Sequence, residues 1–324
     1  MKLLVTGATG LLGSVICRIG IERGHAVTAL VRDADRAHEL AELGVELTEG
    51  DILSPDSLTD RVFDTDAVIH AAAILGGSFG TAPATEVASA NYLGTVHVLA
   101  AAERTGTRGV MISSTAILDW SHTLTETSPI TPIRPHDTAY TAAKRAAFYE
   151  TMRRASLGQD VSSVLPTGIY GPGVVTERAL HPSGFTGAMR RAIVGEIEPQ
   201  PGFPFMWVYV DDVADTAIRA AQQGELGGRY LATGRLEDRM SLPGLLNLAC
   251  SAARSAHRVG ELDPATQPGA GPTGSSWMDR PAGADPFSDS SATEAALGTR
   301  YTSLRDGVAA TVDWLRAVEQ IPTE

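Results

Sequence analysis

The sequence predicts a doubly wound α/β fold, a parallel sheet covered by helices on both faces, with a smaller discontinuous C-terminal lobe. Three observations carry this. Over roughly the first 165 residues short apolar runs alternate with helical ones, and glycines crowd the turn after the first apolar run. Past residue 170 the alternation breaks into Pro- and Gly-rich sequence before resuming. Strands that are apolar throughout and separated by helices belong to a parallel sheet buried on both faces.

The elements follow in order. "KLLVT" (2–6) is a short apolar strand, and "LLGSVICRIGIERG" (11–24) an amphipathic helix after the glycine turn. "HAVTALV" (25–31) is β-branched and apolar, a second strand, and "DADRAHELAELG" (33–44) a helix ending at Gly44. "VELTEG" (45–50) and "AVIHAAA" (67–73) are strands three and four, separated by a short helix opened by "SPDSL" (54–58). A long helix from about Ala84 to Thr105 precedes the fifth strand, "GVMISS" (109–114). An alanine-rich helix around Tyr140 then leads to "VSSVLP" (161–166), the sixth. "MWVYVDDVADTAIRAAQQG" (206–224) returns to strand-then-helix, "GGRYLATG" (227–234) is a further strand, and "LRDGVAATVDWLRAVEQ" (304–320) a closing amphipathic helix. Residues 263–290, rich in Gly, Pro, Ser and Asp, are expected to form a long loop or mobile segment. The expected organisation is a main domain over 1–170, rejoined by 207–235, and a lobe from 171–206 and 236–324 over the strands' C-terminal ends.

With 43% hydrophobic and 20% charged residues, the 324-residue chain has an ordinary globular composition and enough length for a sizeable core. A formal charge of −12 argues against a broad nucleic-acid surface, though not against a local basic pocket. The two cysteines, Cys17 and Cys250, have no metal-ligand spacing and form no disulfide framework. No signal peptide and no membrane span is expected, so a cytoplasmic location is the simple inference.

"VTGATGLLG" places Gly7, Gly10 and Gly13 between strand one and helix one. Such a turn lets a ligand approach the backbone closely, and the helix N-terminus presents free N–H groups to a pyrophosphate, which points to dinucleotide binding. Strand two ends "LVRDADR", with Arg32 where an NAD-dependent protein usually has an acidic residue and Arg36 one helical turn on. A guanidinium suits a 2′-phosphate, so NADP is favoured over NAD; the alternative is a solvent-facing Arg32 with Asp33 on the ribose. In "AYTAAKRAAF" (139–148), Tyr140 and Lys144 share a helix face. A neighbouring ammonium is expected to favour phenolate and lower the phenol's pKa.

The ordered set "TGATGLLG", "GDILSPDSL", "VIHAAA", "NYLGTVHVLAAA", "ISSTA", "YTAAK", "LPTGIYGPG" and "YVDDVA" resembles the extended short-chain dehydrogenase/reductase family, the NAD(P)-dependent epimerase/dehydratase group with a Rossmann domain. The resemblance covers roughly residues 1–235 and the final segment. It implies a catalytic set of Ser114, Tyr140 and Lys144, with Thr115 as the alternative hydroxyl. Tyr140 would exchange a proton with the substrate oxygen as hydride moves, Ser114 would hydrogen-bond that oxygen, and Lys144 would also hold the nicotinamide ribose. Cofactor contacts are implied for Gly7, Thr9, Gly10, Leu11, Leu12 and Gly13, for Asp51 and Ile52 at the adenine, for Ala71, Ala72 and Ala73, and for Pro166, Thr167, Gly168 and Ile169 at the nicotinamide. Asn91 is expected to be structural, and Asp211 and Asp212 of "YVDDVA" to support the lobe interface; no metal is implied.

Sugar-nucleotide members of the superfamily typically carry "R-x-x-N-x-Y-G-P" where this chain reads "LPTGIYGP", with Leu165 and Gly168 at the arginine and asparagine places. "ILDW" also stands where those enzymes have "V-Y-G". The remaining resemblance is to the dihydroflavonol-reductase-like and 3β-hydroxysteroid-dehydrogenase-like branch, which implies a carbonyl or alcohol substrate of low polarity. Pocket candidates are Ile74, Leu75, Phe79, Trp120, Phe185, Phe203 and Trp207, some of which belong to plain core. Two alternatives stay open: a sugar-nucleotide epimerase that retains NAD(P), and a non-enzymatic NADP-binding regulator, against which the Tyr/Lys pair speaks. A homodimer through the helices flanking Tyr140 is a further expectation from the family.

Overall fold

The structure, a computed structural model, describes residues 1–75, 82–134, 137–263 and 287–323; Phe79 and residues 264–286 of the Gly/Pro-rich loop lie outside them. Its strands are β1 (Lys2–Thr6), β2 (Ala26–Val31), β3 (Glu46–Glu49), β4 (Ala67–His70), β5 (Arg108–Ile112), β6 (Val161–Pro166), β7 (Gly168–Tyr170), β8 (Gln200–Pro201), β9 (Pro204–Phe205), β10 (Trp207–Tyr209), β11 (Arg229–Ala232), β12 (Met240–Ser241) and β13 (Glu261–Leu262). Seven of them form one parallel sheet in the order β11-β6-β5-β4-β1-β2-β3. Strand order reverses between β1 and β4, which opens a crevice at their carboxyl ends.

The helices are α1 (Leu11–Glu22), α2 (His38–Glu42), α3 (Pro55–Val62), α4 (Ala84–Ala88), α5 (Gly94–Thr105), α6 (Ala139–Ser156), α7 (Thr176–Ala179), α8 (Phe185–Ile193), α9 (Val210–Gln223), α10 (Leu242–Ala252), α11 (Ser291–Leu297) and α12 (Leu304–Ala317). Side chains alternate across a strand, so Leu3 and Val5 of β1 face the core with α1 and α9, while Leu4 faces the core with α3 and α5. Both faces are covered, as strands such as β1 and β4 with apolar residues on both faces require. A second core joins α8, α10 and α12 through Met189, Ile193, Leu245, Leu246, Val308 and Val312.

Two local expectations are corrected and one is refined. The helix over 33–44 is a 3₁₀ turn at Asp35–Ala37 followed by the short α2. The helix expected over 84–105 is present without a break, with a π turn at Ser89–Leu93 between α4 and α5. Within that turn the Asn91 side chain reaches out of the helix to the backbone of another segment. Residues 288–301, grouped with the lobe by sequence, lie against the sheet edge instead. Leu231 N–H donates to Thr293 Oγ1 at 2.8 Å, Tyr301 Oη donates to the Leu231 carbonyl at 2.8 Å, and Leu297 joins the sheet core.

Candidate active site

Four consecutive strands of the sheet end at one cavity of about 920 Å³. β1 delivers the glycine turn, β4 delivers Ala71, Ala73, Ile74 and Leu75, β5 delivers Ser113, Ser114 and Thr115, and β6 delivers Pro166 to Ile169. Gly7 has a φ of +71°, and a Cβ there would stand 2.5 Å from Ala72 Cα. A Cβ on Gly13 would stand 2.1 Å from the Gly7 carbonyl oxygen. Both positions therefore need glycine for the turn to close. Gly10 caps α1 without any side-chain hydrogen bond, and it lines the cavity with Leu11, Leu12 and Gly13. The uncapped first-turn amides suit a diphosphate, so the residues present fit a dinucleotide.

On the opposite wall Tyr140 and Lys144 project from the start of α6, whose N-cap Thr138 accepts from the Thr141 N–H at 3.1 Å. Lys144 is 4% exposed, and its Nζ donates to the Ile112 carbonyl at 2.8 Å. Burial pulls its ammonium down to about 8. Tyr140 is hydrogen-bonded to Ser114, yet its pKa rises, because burial outweighs that bond. This corrects the expectation of an acidified phenol: desolvation, not the neighbouring cation, dominates. The two hydroxyls after β5 are also distinguished. Thr115 Oγ1 donates to the Pro166 carbonyl at 3.1 Å, while Ser114 faces Tyr140 and accepts from the Ala116 N–H at 3.1 Å.

A chain of rings forms the lobe-side wall. Trp120 stacks on Phe205 at 6.0 Å between centroids, Phe205 meets Trp207 edge-on at 5.1 Å, and Trp207 meets Phe185 edge-on at 4.8 Å. Both indole N–H groups donate to backbone, Trp120 to Thr115 and Trp207 to Met240, each at 2.9 Å. These tryptophans thus offer apolar faces and no donor. They are core and cavity wall at once.

Of the sequence-derived set, Thr9, Arg32, Arg36, Asp51, Ile52 and Ala72 do not line this cavity. Ala72 backs Gly7, as described. Arg32 and Arg36 are exposed after β2, and Arg36 lies 3.8 Å from Glu177. Asp51 Oδ1 accepts from the Leu53 N–H at 2.8 Å. The Ile52 side chain packs towards Gly94, and its carbonyl accepts from His97 Nδ1 at 2.9 Å.

Sequence reasoning missed several wall residues, Arg178, His181, Arg191, Gln200 and Phe205 among them. It also passed over His70, 1% exposed at the end of β4. Thr95 Oγ1 donates to the Asn91 carbonyl, so His70 Nε2 donates to Thr95 Oγ1 at 3.1 Å and Nδ1 accepts from Thr6 Oγ1 at 2.7 Å. Burial first, and then Lys144, hold its pKa down at about 3, which keeps the ring neutral. Asn91 completes the line: its Oδ1 accepts from the Ile74 N–H at 2.7 Å and its Nδ2 donates to the Ile74 carbonyl at 2.9 Å. The "H" of "VIHAAA" and the "N" of "NYLG" are the signals from which this buttress could have been read.

Residues 3–232 match the model of the NAD dependent epimerase/dehydratase family. Over 242 residues the chain is 31% identical to "Sterol demethylase protein B" of Methylococcus capsulatus, covering 72% of this chain and 70% of that protein. Over 183 residues it is 32% identical to a 2-alkyl-3-oxoalkanoate reductase of Stenotrophomonas maltophilia, covering 53% and 52%. The crystal structure of gox2253 superposes with a TM-score of 0.84 at 24% identity, over 99% of each chain, a likeness of fold.

Proposed function

The chain belongs to the NAD-dependent epimerase/dehydratase family, and from that membership we propose an NADP-dependent oxidoreductase that interconverts a carbonyl and an alcohol on a small, relatively apolar substrate. The observation that carries this is the meeting of Ser114, Tyr140 and Lys144 between a glycine turn and a wall of aromatic faces. A nicotinamide cofactor held here would supply hydride chemistry at the carbonyl carbon. Tyr140 gives its phenolic proton to the carbonyl oxygen in reduction, and its raised pKa keeps that proton in place near neutral pH. Ser114 donates to the same oxygen as negative charge develops there. Lys144, anchored on the Ile112 carbonyl, would hold the nicotinamide ribose with its remaining N–H groups, and Pro166 to Ile169 would flank the nicotinamide. Gly10 to Gly13 take the diphosphate, and Arg32 the 2′-phosphate. Residues 171–206 with α10 and α12 form the substrate-binding lobe. A relative named as a reductase of 2-alkyl-3-oxoalkanoates supports the reaction type.

The family's own description keeps a second reading in play, an epimerase that retains its cofactor. The two separate in one assay. NADPH absorbance is followed against a panel of ketones, aldehydes, flavanonols and steroids, and a loss proportional to product is expected. Cofactor retained through purification, with UDP-sugars isomerised and no net redox change, would reverse the assignment. Arg32→Ala should weaken NADPH binding about ten- to a hundredfold while leaving NADH binding little changed, as loss of one charge-assisted phosphate contact requires. Equal losses for both cofactors would remove Arg32 from the 2′-phosphate.

A further inference from the structure

Among the described residues that wall the cavity there is no Asp or Glu, whereas Lys144, Arg178 and Arg191 all reach it. In a chain of formal charge −12 that segregation needs an explanation. Lys144 belongs to the reacting centre. Arg178 stands on α7, next in the chain to Glu177, which lies 3.8 Å from Arg36 beyond β2.

Arg191 lies on the lobe side. Gly184, Ala188 and Arg191 line the cavity at helical spacing, so one face of α8 is its wall, while Met189 and Ile193 pack into the second core. Adjacent Arg190 is neutralised by Glu196, but Arg191 has no carboxylate partner among the described residues; its Nη1 donates to the Pro182 carbonyl at 2.9 Å. That bond steadies the guanidinium and leaves its other N–H groups for a ligand. α8 begins at Phe185, the far end of the ring chain that starts at Trp120 beside Thr115. An apolar wall therefore separates the reacting end from a half-buried cation.

We propose that the substrate is an oxo acid, its carboxylate held by Arg191 and its apolar body laid along the Trp120–Phe205–Trp207–Phe185 wall. This deepens the oxidoreductase reading and rests on it. One guanidinium matches the two oxygens of a carboxylate in a bidentate pair.

The test compares oxododecanoates, differing in the position of the carbonyl, with their methyl esters and with an oxoalkyl phosphate. The preferred acid should exceed its ester in kcat/KM by about ten- to a hundredfold, the factor a charge-assisted hydrogen bond gives. Arg191→Gln should bring that ratio close to one, Arg191→Lys should restore part of it, and Arg190→Gln should leave it as in wild type. Dodecanoate binding by calorimetry should weaken in Arg191→Gln by a similar factor, which reads recognition apart from turnover. An acid-to-ester ratio of one in the wild type, a ratio unmoved by Arg191→Gln, or preference for the phosphate overturns the inference while leaving the oxidoreductase standing. If no carbonyl compound is turned over, the oxidoreductase reading itself fails.

Discussion

A phenol held above its ordinary pKa is a proton donor at neutral pH, and Ser114 fixes the one at Tyr140 in place. Tyr140→Phe removes a single oxygen and keeps the ring, so folding and NADPH affinity should hardly change. Reduction should slow by about 10²- to 10⁴-fold, the usual contribution of general acid catalysis. Turnover near the wild-type rate would leave the Tyr140–Lys144 pair as an ordinary helix surface. The pair itself was legible from its spacing. Its electrostatics were not, because burial, which pulls Lys144 down to about 8 and pushes Tyr140 up, is a property of the surroundings.

At the scale of elements, the line Thr6–His70–Thr95–Asn91–Ile74 ties the ends of β1 and β4 to the helix across the crevice. The π turn at Ser89–Leu93 is where that line meets the helix. Asn91→Leu keeps the size but strips both hydrogen bonds from the Ile74 backbone, and should destabilise the fold by about 2–4 kcal/mol, read as a shift in denaturant midpoint. Asn91→Asp, which keeps an acceptor for the Ile74 N–H but sets an oxygen against its carbonyl, should also destabilise. A midpoint unchanged in both variants would show that water satisfies Ile74 equally well. β6 and α9 were readable because each is an apolar or amphipathic run between turn signals. The π turn was not, since helix-compatible sequence continues through it and Ile74, the partner of its Asn91, is distant in the chain. Arg191 was hidden for a related reason. Residues 171–206 carry so many Pro and Gly that the phase of α8 cannot be read, and without phase no face can be assigned.

For the molecule as a whole, Asp212 at the start of α9 joins the sheet to the segment leading into α12. Its Oδ2 accepts from the Thr302 N–H at 2.8 Å and its Oδ1 from Thr302 Oγ1 at 2.9 Å. Burial nevertheless raises its pKa to about 6, against the pull of those bonds. A carboxyl whose folded-state pKa is raised holds its proton more tightly folded than unfolded. Its contribution to stability is therefore full below about pH 4 and is lost as pH rises to about 6, a change on the order of 2–3 kcal/mol. Asp212→Asn, which cannot ionise, should lack this component. The difference between wild-type and variant unfolding free energies, followed from pH 4 to 7, isolates it; a difference that does not vary with pH would mean Asp212 titrates normally.

That the described residues walling the cavity include no Asp or Glu, in an acidic chain, has a kinetic consequence. A polyanion such as NADPH, still many ångströms away, meets the field of the whole molecule, which carries a formal charge of −12 and repels it. Only within about 10 Å at 0.1 M salt do Arg178, Arg191 and the first-turn amides of α1 reverse the sign. Added salt should then shorten the time to encounter and also the time spent bound, so both rate constants rise together in stopped-flow mixing. Association that slows with salt would mean that the mouth's own field, rather than the net charge, governs the approach.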